Sequence, residues 1–453
     1  MNARIPTMIV AMVLLACTGC SKDWLDAKPE ASIAVPSDLE DFQALLDNPN
    51  IHQYPGLGEA GSDNYYVDQS VISSLGQYGL DFYLWSKNGW SYPTLYEWEF
   101  PYQGILVSNL VLEGLAKKGV KELNPGKWNE VAGNAYFFRA LAYAGLIEQF
   151  ANVYNAATAD TDQGVPLRLS SNINEQQGRV SIQTVYNQII ADLGQSAGLL
   201  PATARYRTRP VRTAAYGLLS RVYLSIDQYD SARKYSQLAL SLYDQLLDFN
   251  TLTYNDQFSL PQYYDNPEVI FYTPMLTAPT LYQYAATVDS SLYKSYDAND
   301  LRKLHFFRDN GGRIVWAGSY SGNVSQLFGG IAASELYLIL AEVYARKGET
   351  TPALELLNKL LVKRFSAAHF VPATAASAAE ALQVILQERR KETAFRGLRW
   401  ADLRRFSKQP ASAVTVKRFA NNETVVLAPG DKKYAWIIPP SEVLASGIPQ
   451  NPR

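Results

Sequence analysis

Acidic and basic side chains crowd most densely in "ERRKE", Glu388 to Glu392, so proton-transfer or hydrolytic chemistry is sought there first. At helical spacings of three and four, Glu388, Arg389 and Glu392 pair along one helix, while Trp400 and Leu403 supply a packing face. That reading is structural: the arginines neutralise the carboxylates. The other reactive types are sparse. Histidine occurs only at His52, His305 and His369, far apart and without HExxH-type ligand spacing. There is no G-x-S-x-G elbow and no GxxxxGK[ST] phosphate loop. Both cysteines lie within the first twenty positions, so the body has no thiol nucleophile, disulfide or cysteine metal site. Two carboxylates suffice for a glycosidase, and 43 acidic residues leave that route open without singling out a pair. No catalytic residue, metal or cofactor is assigned, and the chain reads as a binder, not an enzyme.

Binding chemistry is better represented. The 30 tyrosines and 8 tryptophans offer flat apolar faces with a polar handle. A sugar ring rests its C–H face on such a surface, while short polar side chains bond its hydroxyls. Two loop-like segments carry that mixture. One runs from "DNYYVD" through "FYLWSKNGWSYPTLY", with Tyr65, Tyr66, Trp85, Asn88, Trp90 and Tyr92; the other is "RIVWAGSYSGN", with Trp316, Tyr320 and Asn323. Trp85, Trp90 and Trp316 are the leading candidates for stacking, although any single ring is more readily packing than platform. Loop position is what favours a binding role.

The stretch "LLACTGCSKDWLD" holds both cysteines, Cys17 and Cys20. Arg4 precedes an uncharged, mostly apolar run from Ile5 to Ala16, too short to span a bilayer and shaped like a secretory signal. Small residues before a cysteine, here Thr18 and Gly19 before Cys20, resemble the lipobox of bacterial lipoproteins, in which the thiol is acylated. Two or three acyl chains anchor stably where one does not. Cys20 is the expected anchor, and Cys17 after "LLA" the alternative.

Elsewhere the positioning elements are helical. "YFFRALAY" (Tyr136 to Tyr143), "YGLLSRVY" (Tyr216 to Tyr223) and "YLILAEVY" (Tyr337 to Tyr344) place tyrosines seven apart, with Ala140, Ser220 and Ala341 four after the first. Each stripe lies on one helical face, and the small residue admits a close second helix. Tyr229, Ala232 and Ala239 supply that partner after the second stripe, and Ala353, Leu357 and Leu360 after the third. These offsets follow the tetratricopeptide template, interrupted by long segments. Residues 51–100 read as loops and short helices, and residues 250–330, rich in proline, as loop with a short strand in "EVIFYT". A few strands are expected in "AVTVKRF", "ETVVLA" and "YAWIIP". The net charge of −2 without a basic block argues against nucleic acid, and no second long apolar run reads as a membrane span.

"LQERRKETAFRGLRWADLRRF" (Leu386 to Phe406), "YAWIIPPSEV" and "GIPQNP" resemble the closing signature of SusD/RagB lipoproteins. Glu388, Arg389, Arg390, Glu392, Phe395, Gly397, Arg399, Trp400, Asp402, Leu403 and Arg404 fall at that family's spacings. Trp98, Tyr102, Asn109, Arg139, Ala140 and "GVPL" (Gly164 to Leu167) match upstream, and Trp24, Leu25 and Asp26 follow Cys20 as they follow the family's lipidated cysteine. Departures are Arg396 and Leu398, where Glu and His are commoner, and an acidic tract reduced to Asp23. The resemblance implies a mostly α fold, tetratricopeptide-like helical pairs in an α/α superhelix with a loop-rich cap and a few short strands. Its implied organisation is a signal peptide at 1–19, an anchor or linker at 20–50, an N-terminal helical region at 51–250, and a C-terminal region at 251–453 with a loop insert at 251–330. It also implies a lipid-anchored outer-membrane protein of a Bacteroidetes-type bacterium, displayed on the cell surface, that passes an oligosaccharide to a SusC-like TonB-dependent transporter. A RagB-like peptide binder and a non-binding surface scaffold remain alternatives.

Overall fold

A computed structural model describes residues 36–49, 52–117 and 124–453. Cys17, Cys20, the signal segment and most of the anchor segment lie outside the described residues. Successive helices pack neighbour on neighbour: α1 (Tyr96–Leu115), α2 (Pro125–Phe150), α3 (Ile182–Leu199), α4 (Arg212–Ser225) and α5 (Tyr229–Leu242). After the long insert, α6 (Ala333–Arg346), α7 (Thr350–Leu361) and α8 (Ala378–Glu392) continue the stack, with α6 against α5, and α9 (Arg399–Phe406) follows. Consecutive pairs build the α/α superhelix.

The small residues of the stripes do what their size permits. Ala140, Ser220 and Ala341 are wholly buried, and the Ser220 hydroxyl lies 2.6 Å from that of Ser236 on the partner helix. Ala232, Ala239, Ala353, Leu357 and Leu360 are buried opposite them. Tyr143 and Tyr337 enter the core, whereas Tyr223 and Tyr344 sit half-buried at helix edges, Tyr223 stacked on Tyr235 and Tyr344 under Arg233. One hydrophobic cluster runs from Leu39 to Ile448, and a smaller one joins α6, α7 and α8.

The ERRKE segment is structural, but beside the Glu388–Lys391 pair at helical spacing its ion pairs reach to neighbouring elements. Arg389 reaches across to Asp402 (2.9 Å) rather than along its own helix. Glu392 meets Arg302 and Arg364, and Glu388 meets Arg302 and Lys391. A helix buried on this face finds partners on neighbouring elements, where pairing also satisfies the insert's charges.

The described strands form two-stranded pairs only. Val269–Phe271, within "EVIFYT", pairs with Ile331–Ala332. Val416–Ala420 and Glu423–Leu427 form a hairpin turned by Asn421 and Asn422, both at positive φ, as such tight turns require. "YAWIIP" is not a strand; a short 3-10 helix (Lys432–Tyr434) ends on its first residue, and Trp436 and Ile438 fill the core. No helix among the described residues is long and apolar enough to cross a membrane.

Candidate ligand-binding site

β1 (Tyr65–Val67) pairs antiparallel with β2 (Ala286–Val288), setting Tyr66 opposite Thr287. Strand alternation turns Tyr65 and Val67 inward and leaves Tyr66 40% exposed. Beside β2 lies the hairpin of β3 (Phe307–Asn310) and β4 (Arg313–Trp316), turned by Gly311 and Gly312 at positive φ. Arg313, at the start of β4, ties the strands together. Its Nε donates to Asp68 (3.1 Å) and Thr287 (3.0 Å), and its Nη1 donates to the Tyr284 carbonyl (3.1 Å). The Thr287 hydroxyl also donates to Asp68 at 2.7 Å.

The loop held by Arg313 presents two rings. Tyr282 and Tyr284 lie nearly parallel, centroids 5.8 Å apart and planes 16° apart, 38% and 59% exposed. They help line a cavity of about 190 Å³ together with Leu281, Gln283, Val324 and Ser325. Gln283 is braced by donating to the Trp316 carbonyl (2.6 Å), and exposed Asn323 accepts from the Ser325 N–H (2.7 Å). The face thus combines open aromatic surface with carboxylate, guanidinium and amide groups. A polyhydroxylated ring needs that combination.

Most of the sequence-predicted rings are elsewhere. Trp85 is fully buried, at positive φ, and donates its Nε1–H to the Gly61 carbonyl (3.0 Å). With Tyr65 and Tyr83 it surrounds the Arg418 guanidinium, which lies 4.6–5.0 Å from the three ring centroids. Arg418 also donates to the carbonyls of Ala60 and Ser62, so these contacts hold Trp85 in a backbone region that a bulky residue rarely adopts. The Tyr65 hydroxyl donates to the Ala60 carbonyl and accepts from the Thr280 hydroxyl. Trp316 is stacked on Phe395 at 4.8 Å with only 5% exposure, and Tyr320 is buried beneath Arg396 with its hydroxyl on Glu268. Trp85, Tyr65, Trp316 and Tyr320 are therefore not available as platforms: the protein's own rings and arginines cover them.

Trp90 is half-buried, stacked on Trp436 at 5.7 Å, and donates to the Ile437 carbonyl. Tyr92 is exposed but sets its edge against Tyr78, and Asn88 is exposed. Of the predicted set, Tyr66 and Asn323 belong to the two segments that the strands and insert bring to this face. Tyr282, Tyr284, Gln283 and Arg313 were missed. Their signal was "LYQY", tyrosines two apart in a proline-flanked stretch with no helical period.

The family described as "Starch-binding associating with outer membrane" matches residues 23–224, and the SusD family matches residues 331–445. Among solved structures, a putative sugar binding protein from Bacteroides vulgatus superposes with TM-score 0.73 at 22% identity, covering 93% of this chain and 99% of that one. A SusD superfamily protein from Bacteroides fragilis gives 0.72 at 21% identity over 91% and 98%. Another from Bacteroides thetaiotaomicron gives 0.70 at 18% over 92% and 100%. The SusD-like protein P2 of Formosa agariphila is 27% identical over 129 residues, 28% of this chain; the chain spans about a quarter (24%) of that curated relative's length. The superpositions show that the fold is shared, and the two family matches, over residues 23–224 and 331–445, make this protein a member of the SusD/RagB family.

Proposed function

We propose that this protein is a non-enzymatic nutrient-capture lipoprotein that binds an oligosaccharide and hands it to a SusC-like TonB-dependent transporter. The observation that carries the reading is the exposed, parallel Tyr282–Tyr284 pair beside Gln283 and the Arg313–Asp68 bridge. Tyr66 and Asn323 extend the surface that receives the ligand. Buried Trp85, Trp316, Tyr65 and Tyr320 hold the loops from behind. Support for saccharide over peptide comes from the starch-binding description of the matching family and the sugar-binding description of one structural relative. Acylation at Cys20, with Cys17 as the alternative, would hold the protein at the outer membrane with its loops toward the cell exterior.

A screen of the mature protein against a glycan array and a peptide library tests the ligand class. The reading expects neutral or charged glycans to bind and peptides not to. Peptide binding alone would assign the RagB-like role. Binding of neither, with surface enzymes copurifying from membranes, would make the protein a scaffold.

A further inference from the structure

A separate cleft of about 550 Å³ opens where the α3–α4 connection, the residue after α5 and the insert meet. Its size is that of a small-ligand site. The connection reads "ATARYRTRPV", and Arg205, Arg207 and Arg209 all line the cleft, while no carboxylate does. Arg209 is neutralised, held by Asp47 in a bidentate pair at 2.6 and 3.0 Å, with Glu130 at 3.6 Å. Arg205 and Arg207 differ. Neither has an ion-pair partner among the described residues; Arg205 lies over Tyr206 at 5.1 Å, and Arg207 donates to the Tyr243 hydroxyl at 3.1 Å.

Aromatic surface completes the cleft. Tyr263 is stacked on Tyr272 at 3.8 Å and sets its neighbour Tyr264 outward, 58% exposed. Helix α4 starts at the cleft wall: Val211 precedes its first turn without a side-chain cap, and Val211 and Thr213 both line the cavity. A helix start brings positive potential to the same wall as the two unpaired guanidinium groups. The chain as a whole is slightly acidic, so this local excess of positive charge is not a bulk property.

We infer that this cleft is a second ligand site, taking an acidic saccharide whose sulfate or carboxylate groups pair with Arg205 and Arg207 while a ring lies on the exposed Tyr264. Guanidinium forks match both anions, and their common chemistry is a planar or trigonal array of acceptor oxygens. The choice of a saccharide rests on the nutrient-capture reading; the choice of an anion rests on the cleft alone.

Calorimetry of the mature chain with sulfated dextran oligosaccharides, oligogalacturonate, neutral dextran oligosaccharides and poly(vinyl sulfonate) tests it. The expected result is that at least one acidic saccharide binds, and binds more weakly as salt rises from about 50 to about 200 mM because the paired charges are screened. Arg205→Gln/Arg207→Gln should weaken that binding about tenfold or more, a loss of about 1.4 kcal/mol, without changing any neutral-glycan affinity. The exposed Arg205→Gln and Tyr264→Ala single variants, which touch little of the core, should each weaken it several-fold with an unchanged unfolding midpoint. Unchanged acidic-saccharide affinity in the double variant, or no acidic saccharide bound by the native chain, overturns the site. Equal response to poly(vinyl sulfonate) overturns its saccharide character. Neutral glycan binding, read on the same samples and sensitive to Tyr282 and Tyr284, reports the main site separately.

Discussion

Arg313 and Asp68 lie 245 positions apart in the chain and meet at 3.1 Å, joining the segment before the first helical repeat to the insert between the later ones. From that bridge Arg313 reaches on to the carbonyls of Gln283 and Tyr284, so the loop that displays the aromatic pair is tied to the strand that displays Tyr66. Neither segment makes this face alone.

Breaking the bridge should loosen the display without unfolding the protein. Both side chains are partly exposed, so Arg313→Ala should cost no more than about 1 kcal/mol of global stability. Hydrogen exchange of residues 283–287 should nevertheless accelerate, and ligand affinity should fall. Unaltered exchange there would show that Arg313 does not hold the loop.

Trp316 and Tyr284 should separate stability from binding. Trp316 packs against Phe306, Phe307 and Phe395, so Trp316→Ala should cost about 3–5 kcal/mol in denaturant unfolding. Exposed Tyr284→Ala should stay within about 0.5 kcal/mol of the native protein. The same experiment checks the burial of one leading sequence candidate, because native stability in Trp316→Ala would show that the Trp316 indole of the native protein is not in the core.

The buried charges around Glu392 make an acid-sensitive lock. Burial alone would raise the Glu392 carboxyl, but Arg364 and Arg302 outweigh it and bring it down to about 2. A carboxylate depressed in the native state stabilises it above its ordinary value of 4.5, and the contribution is lost as pH falls toward 2. Arg364→Met would leave Glu268 without its ion-pair partner in the interior and Glu392 with Arg302 alone, at a cost of about 3–5 kcal/mol at neutral pH. Urea midpoints measured across acidic pH should show a shallower acid loss in that variant.

Glu97 should act in the opposite direction. Burial raises its carboxyl to about 8, against the opposing N–H bonds from Gly56 and Leu57. It therefore keeps its proton in the native state while the unfolded chain loses it, and stability should decline between about pH 4.5 and 8. Glu97→Gln should flatten that part of the stability curve, as measured by denaturant unfolding at a series of pH values. An unaltered slope would mean that Glu97 is ionised in the folded protein.

The helical scaffold was legible because buried helix faces impose a strict period. Ala140, Ser220 and Ala341 mark close helix contacts by size alone, and each is buried where the pattern placed it. The loop rings lacked any such constraint. Trp85 and Trp316 sit in segments that read as exposed, yet those segments fold back and use the rings as a core of their own, around Arg418 and against Phe395. Whether a tryptophan in an irregular segment faces in or out depends on residues far away in the chain, here Arg418 for Trp85 and Phe395 for Trp316. The β1–β2 pairing and the Arg313–Asp68 bridge join the two segments, and the side chains that emerge from them are set by strand alternation at Tyr66 and by Arg313 at Tyr284.

The central claim is that Tyr282 and Tyr284 receive the ligand. Calorimetric titration of the native protein and of Tyr282→Ala/Tyr284→Ala, with the glycan that binds best on an array, tests it most directly. Two lost ring contacts of about 0.5–1.5 kcal/mol each should weaken affinity by roughly fivefold to a hundredfold or more, with the unfolding midpoint unchanged. A doubly substituted protein that folds normally and binds the same glycan with native affinity would contradict the account.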